Sequence, residues 1–554
     1  MIRKLTVKNF KRFACESFEL ADSVVLAGPN NAGKSTLLQA IATWKFGLDH
    51  WISRRVGTKA RRRSGVPITR LEFTAVPLRE MNLLWEDRKV APSSSEPGNR
   101  RFIEILVEGD SEGGPWSCGL EFQYANPEMV YVRPLNAKGL TKGGISRFPP
   151  QEAAELEVLH VPALSGIERD EPRRDRGMQD LLVGQGRPGE ILRNLLLEIS
   201  RRDGGDWDEL ASLVRGLFGI ALDRPAYNAA MPYIVSEYRE APNRTSLDLS
   251  NAGSGTLQVL LLLAFIYSRP ASVILLDEPD AHQHVILQRQ VYAEILKLAR
   301  KRRAQVLIGT HSEVLLDATE LTRVYAFLGG SPRLLATENE RTRLREALKR
   351  LSTTDLLLGR EIGALLYVEG PTDELILKEW ARILRHRASA FFERPFVFRM
   401  GGRNLREARA HFFAMRAAVP GLRAVCLLDG DNRDEPDFET KAAGFAVIPW
   451  HRYEVENYLL QPQAIKRVFS APLFASGVDS AFWKHVPGGT DLFGDHVALT
   501  RVKASDEFLV PLLRNLGLNI SKKDLYLIAA GMKSSEIHPE VKKKLDMIAS
   551  HLLQ

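Results

Sequence analysis

The 554-residue chain is long enough for roughly two to four domains, and with 44% hydrophobic and 26% charged residues it has the make-up of an ordinary folded protein, which excludes disorder as the default. A formal net charge of +8 is a weak pointer to an anionic partner such as nucleic acid. Its three cysteines, Cys15, Cys118 and Cys426, share no C-x-x-C spacing, so neither a disulfide framework nor a zinc site is indicated and a reducing cytoplasm is expected.

Residues 1–10 alternate as a strand and lack the apolar centre of a signal peptide; the most apolar run, 259–266, is too short to span a bilayer, so no membrane association is expected. The apolar run 23–27 then leads into Gly28-Pro29-Asn30-Asn31-Ala32-Gly33-Lys34-Ser35-Thr36, which fills every fixed position of G-x-x-x-x-G-K-[ST], and an amphipathic pattern follows from Leu37. Strand, loop and helix in that order predict a phosphate cradle: glycines let the backbone N–H groups of 30–36 face the phosphates, Lys34 reaches the β- and γ-phosphates and Ser35 holds Mg²⁺. Arg54, Arg55, Lys59, Arg61, Arg62 and Arg63 form a basic stretch that suits either nucleic acid or a solvated loop. Short alternating runs at 70–73, 102–107 and 120–124 predict an antiparallel subsheet. Another strand, 156–164, precedes a charged loop and a helical pattern through Ile191, Leu195 and Ile199, where Arg187 and Arg193 could reach phosphate but read more simply as surface salt bridges.

Val273-Ile274-Leu275-Leu276 ends in Asp277-Glu278, a buried strand delivering two carboxylates. Asp277 would hold Mg²⁺ through water and Glu278 would polarise the attacking water. The strand 305–309 ends in Thr310-His311-Ser312, and His311 could sense the γ-phosphate. Between them lies 249–258, Leu-Ser-Asn-Ala-Gly-Ser-Gly-Thr-Leu-Gln, ahead of a strongly apolar helix. This order, with Asp277-Glu278-Pro279-Asp280-Ala281-His282 and His311, resembles the ABC-type ATPase heads of the SMC, RecF and OLD (overcoming lysogenisation defect) families over residues 1 to about 330. The resemblance implies ATP as cofactor and a homodimer in which each chain's signature segment closes over its partner's nucleotide. Ser250 or Ser254 would meet the γ-phosphate, with Ser254-Gly255 preferred because the segment departs from L-S-G-G-Q. No long heptad run follows the phosphate loop or precedes the signature, so SMC-type coiled-coil arms are not expected.

After a charged, helix-like connector, 336–360, the composition changes. The apolar strand 362–368 ends at Glu369-Gly370-Pro371-Thr372-Asp373, and 424–428 ends at Asp429-Gly430-Asp431. Carboxylates at adjacent strand ends repel one another unless a hard divalent cation, Mg²⁺ or Mn²⁺, neutralises them. A third strand, 444–450, leads to Glu454 and Glu456, either of which could serve a second ion. Strand-Glu-Gly followed by strand-Asp-x-Asp resembles the Toprim domain of topoisomerases, primases and OLD nucleases. An ABC-type head joined to a Toprim domain resembles the OLD family, including Gabija nuclease subunits, and the PARIS-type ATPase and Toprim antiphage proteins. That likeness implies Glu369, Asp373, Asp429, Asp431 and Glu456 as metal ligands and a late lysine that stabilises the transition state; among Lys522, Lys523, Lys533 and 542–544, Lys533 is favoured.

The expected fold is therefore α/β: an ABC-type head over 1–335 with an inserted segment at about 145–245, the connector, a Toprim domain over 361–463 and a helical region over 464–554. The expected function is an ATP-regulated, metal-dependent endonuclease acting on DNA, or on RNA such as tRNA, in antiphage defence, working as a dimer or larger homo-oligomer and possibly beside a partner defence protein. The competing expectation is an ATP-hydrolysing clamp or infection sensor whose Toprim domain is a scaffold. A topoisomerase or primase fits less well, because the head has taken up the chain length that extra nucleic-acid modules need.

Overall fold

The computed structural model describes the chain except for residues 56–64, 91–100, 136–148, 163–165, 203, 229–230, 241–244, 282, 329–330, 432–437, 440–443, 470–471 and 554. Lys59, Arg61, Arg62 and Arg63 of the basic stretch, and His282, lie outside the described residues. Two compact units divide at Leu348 and Lys349, within the helix Glu338–Arg350 and so inside the expected connector.

The first unit contains two six-stranded sheets. One is antiparallel throughout, in the order 13–19, 2–10, 103–111, 114–126, 129–134, 66–69. Its last strand is Val66–Thr69, not the expected 70–73: Arg70 leaves the ladder for a turn in which Glu72 accepts from the Thr69 N–H and hydroxyl. The other sheet runs 333–334, 324–326, 23–27, 305–310, 273–277, 158–161, parallel except at its first edge.

Parallel strands covered on both faces must be apolar along their length, and the residues of 23–27 divide accordingly. Val24 and Leu26 face the core that holds Leu37, Leu38, Ile41, Trp44 and Leu48 of the helix Lys34–Ser53, together with Leu5, Ile105 and Phe122 of the antiparallel sheet. Val25 and Ala27 face the other core, with the helix Ser254–Ser268, which is buried from Leu257 to Ser268. Each large side chain there contributes about 1.5–3 kcal/mol, so this helix is held by packing on all sides. The inserted segment supplies the helices Arg176–Gly184, Leu192–Ser200 and Asp206–Phe218 to that core.

The second unit is built on a five-stranded sheet in the order 397–399, 364–368, 423–428, 445–449, 438–439, parallel but for the last. Its strands share one core with the C-terminal helices: Val541, Leu545, Ile548 and Leu552 of Pro539–Leu552 are buried with Leu366, Val425 and Ile448. The region after 464 is thus packed into the same body as the sheet.

Candidate functional site

In the first unit the phosphate-loop strand and the strand 273–277 lie on either side of 305–310, so that all three end at one edge of the sheet. The loop between Ala27 and Lys34 needs glycine at both ends. A Cβ on Gly28 would fall 2.3 Å from the carbonyl oxygen of Phe327, and Gly33, at φ 111°, turns the chain into the helix. Lys34 is 3% exposed; its ammonium donates to the carbonyls of Gly28 (2.8 Å) and Pro29 (3.0 Å) and lies 3.8 Å from the Glu278 carboxylate. Ser35 donates to Asp277 (2.9 Å). Asn30 and Asn31 are exposed, Asn31 at φ 60°, while Ala32 is half-buried and Thr36 buried.

Burial lowers the Lys34 pKa and raises that of Asp277, whereas the contact with His311 lowers that of Glu278 and raises that of the histidine. Glu278 stands at φ 50° with His311 Nδ1 3.6 Å from its carboxylate, and Gln258 of the buried helix donates to the Glu278 carbonyl (3.2 Å). The site therefore places a lysine, a hydroxyl and two carboxylates at one strand edge, groups that suit a nucleoside triphosphate and its Mg²⁺. Asp277 and Ser35, already hydrogen-bonded to each other, are the hard-oxygen pair suited to Mg²⁺. Sequence reading passed over Asp280, which is 4% exposed and accepts from the Thr310 hydroxyl (2.7 Å), and Gln258, whose signal was a single amide in an otherwise apolar run.

The signature segment is fixed from below. Arg193, expected at the surface, is 1% exposed and grips Asp248 with both ends of its guanidinium (3.0 and 2.8 Å). Asp248 in turn accepts from the Ser250 N–H (2.8 Å) and hydroxyl (2.6 Å). Burial works against its charge, but Arg193 and Ser250 bring its pKa down to about 2. Ser250 is thus committed to Asp248, while Ser254 is exposed at the first turn of the helix Ser254–Ser268, whose N-cap, Gly253, has no side chain to offer, and Gly255 is half-buried. Of the two candidate serines, Ser254 is the exposed one and Ser250 the one held by Asp248.

In the second unit Glu369, Asp429 and the turn to Glu454 and Glu456 all follow the carboxyl ends of adjacent parallel strands. The Asp429 N–H donates to Glu369 (2.9 Å), the Val455 N–H to Asp429 (3.0 Å) and the Gly370 N–H to Asp373 (2.9 Å). Burial raises the pKa of Asp429 well above the carboxylate range, with Asp373 and Glu369 adding to it; burial likewise raises Glu369 and Asp373, and burial with Glu454 raises Glu456. Glu456 is 1% exposed and neither carboxylate oxygen carries a hydrogen bond, although Lys522 Nζ lies 3.3 Å away as a charge partner. Buried acids in electrostatic reach of one another, one of them unsatisfied, suit a hard divalent cation. They are not drawn into a ready set: among the described residues no three His, Cys, Asp or Glu side chains group closely enough to hold an ion.

The structure places the two lysines differently. Lys533 is exposed at the N-cap of Ser534–Glu536, its N–H on Glu536. Lys522 is the lysine among the acids, 3.0 Å from Glu454 and 3.3 Å from Glu456; burial opposes its charge, but the two glutamates outweigh that and raise its pKa. Sequence reading also missed Arg403, which donates to the Asp429 carbonyl and lies 4.0 Å from Asp431.

Two family models match the first unit: "AAA ATPase domain" over residues 1–45, and "AAA domain, putative AbiEii toxin, Type IV TA system" over 129–317. No curated protein matches the chain. Similar solved structures include the SMC head domain from Thermotoga maritima (14% identity, 61% of this chain and 99% of that one, TM-score 0.32). Others are an Smc head domain from Pyrococcus furiosus bound to the C-terminal domain of ScpA (14%, 62% and 97%, 0.37) and one from Pyrococcus yayanosii (12%, 63% and 99%, 0.37). No helix among the described residues is long and apolar enough to cross a membrane. The two family models and the loop geometry support a P-loop ATPase fold for the first unit, whose phosphate loop suits ATP.

Proposed function

We propose that the chain is an ATP-regulated, divalent-metal-dependent nuclease of the OLD type, in which the second unit cuts phosphodiester bonds of DNA or RNA. The observation that supports this reading is that Glu369, Asp429 and the turn to Glu454 and Glu456 follow the carboxyl ends of adjacent parallel strands, with Asp373 in the first turn of the helix after Glu369 and the buried Glu456 left without a hydrogen bond. Keeping several repelling acids together is costly unless a cation and an anionic substrate offset them. When bound, Mg²⁺ or Mn²⁺ would neutralise these acids and stabilise charge on the attacking and leaving oxygens. Glu369, Asp373, Asp429 and Glu456 would hold it, and Asp431 stands at the edge of the set. Lys522 orients Glu454 and Glu456 and offers positive charge to the phosphate.

In the first unit Glu278 would polarise the water that attacks the γ-phosphate, and Lys34 would carry the phosphate charge. The heads would pair, each Ser254-Gly255 meeting its partner's nucleotide. Antiphage defence in the cytoplasm, alone or with a partner protein, follows from the OLD likeness. The competing reading, an ATP-hydrolysing clamp whose second unit is a scaffold, is favoured by one observation, the lack of a ready three-acid group among the described residues.

Cleavage of plasmid DNA and of total tRNA with Mg²⁺ or Mn²⁺, with and without ATP, separates the two. The nuclease reading expects cutting by the wild type that Glu369→Ala and Asp429→Ala both abolish. ATP hydrolysis without cutting under any condition would move the assignment to the clamp.

A further inference from the structure

Glu278 stands at φ 50°, a backbone conformation that persists where surrounding contacts fix it. Its N–H pairs with the Gly309 carbonyl (2.8 Å), and its carbonyl accepts from the Ala281 N–H (3.2 Å), closing a turn that brings Asp280 to the end of the next strand. Asp280 is 4% exposed, and its Oδ1 accepts from the hydroxyl of the fully buried Thr310 (2.7 Å). The same Thr310 oxygen accepts from the Ser312 N–H (2.8 Å), while the Thr310 carbonyl accepts from the N–H of Gly28 at the start of the phosphate loop (3.3 Å). Gln288 joins the two loops again: its side-chain oxygen accepts from the Ser312 hydroxyl (2.7 Å) and its nitrogen donates to the carbonyls of Gln283 (3.0 Å) and Asp280 (3.4 Å).

His311 lies between the two residues held in this way. Its side chain is 47% exposed, with Nδ1 3.6 Å from the Glu278 carboxylate, so packing does little to aim the imidazole and the main chain of 310–312 does it instead. The contact with Glu278 raises the His311 pKa, and the Asp280 charge adds to the rise. Burial disfavours the Asp280 charge, and the Thr310 hydroxyl is the larger of the contacts that offset it. An apolar side chain would fill the same space at less cost. What the carboxylate adds is a fixed distance between the Glu278 turn and the loop that carries His311.

We propose that Asp280 is a positioning residue for ATP hydrolysis: through the Thr310 hydroxyl it holds the main chain of His311 against the Glu278 turn, so that the imidazole orients the carboxylate that faces the attacking water. The proposal rests on the ATPase reading of the first unit, and Asp280 acts through Thr310 and His311 with no need to touch the nucleotide. Steady-state hydrolysis and equilibrium binding of ATP by the full chain test it. Asp280→Ala and Thr310→Val should each lower kcat about tenfold, with KM within about twofold, because the phosphate loop still holds the nucleotide. Thr310→Ser keeps the hydroxyl and should restore kcat to within about twofold of wild type. A cycle with His311→Ala separates positioning from general damage. His311→Ala alone should also lower kcat about tenfold, and adding Asp280→Ala to it should cost no more than about twofold further, since the two residues act as one unit. Losses that multiply to about a hundredfold would show that Asp280 does not work through the histidine and would overturn the proposal. So would a wild-type kcat in Asp280→Ala, or a fall in ATP affinity as large as the fall in kcat. A wild-type chain that hydrolyses no ATP would overturn the ATPase reading and this role with it.

Discussion

Glu171 is fully buried, and its carboxylate collects three donors: Oε1 accepts from the N–H (2.7 Å) and side-chain amide (2.6 Å) of Asn194, and Oε2 from the Arg193 N–H (2.8 Å). Burial outweighs them and pushes its pKa up to about 7. The unfolded chain releases this proton near pH 4.5 and the folded chain near 7, so the folded state binds more protons in between. Stability must then fall as pH rises through that window and level off above it, by ~3 kcal/mol in all. Amide exchange of the helix Leu192–Ser200 should quicken from pH 5 to 7.5 beyond the intrinsic base-catalysed rise. Glu171→Gln should abolish that extra rise. It should also exchange faster throughout, because its amide nitrogen would face the Arg193 N–H, donor against donor, at a cost of about 1–3 kcal/mol. An extra rise that persists in the variant would assign the titration to another group.

The same helix carries Arg193, whose grip on Asp248 joins the inserted segment to the signature segment through a buried guanidinium. Arg193→Ala frees Asp248 and with it Ser250, so the turn ahead of the helix Ser254–Ser268 loses its anchor. Nucleotide held by the chain's own loop should be little affected, while catalysis that needs the signature should suffer: about a tenfold fall in kcat for ATP, with KM within about twofold. Steady-state hydrolysis reads both, and an equal loss in KM would place the effect in nucleotide binding instead. Arg193→Lys should not rescue, since an ammonium cannot match both Asp248 oxygens. This anchor was not legible in the sequence, because Arg193 and Asp248 are 55 residues apart and nothing local marks either. The Gly28 to Thr36 loop and the strands ending in Asp277, Glu369 and Asp429 were legible, because each motif is contiguous and its chemistry depends on neighbours in the chain. The place of Lys522 was not legible for the same reason, since it reaches Glu454 across 68 residues. The strand misplaced to 70–73 had the right alternation, but Glu72 turns the chain there by capping Thr69.

At the scale of the whole molecule, the first unit holds a complete loop side of a nucleotide site and an exposed helix start at Ser254, which has no capping side chain before it. If a second copy supplies that helix start, each site is composite, and the two halves can be broken in different chains. Lys34→Ala removes the phosphate-binding cation but leaves the signature intact; Ser254→Arg blocks the signature but leaves the loop intact. Neither variant alone should hydrolyse ATP measurably. Co-expressed in equal amounts they pair at random, half of the dimers are mixed, and each mixed dimer has one intact site of two, so about a quarter of wild-type hydrolysis should return. Adding Asp429→Ala to both chains should leave that recovered ATPase in place, because its carboxylate belongs to the second unit. A mixture as inactive as its components, with mixed dimers demonstrated by affinity tags, would mean that each chain completes its own site. ATP hydrolysis would then have no need of a second copy.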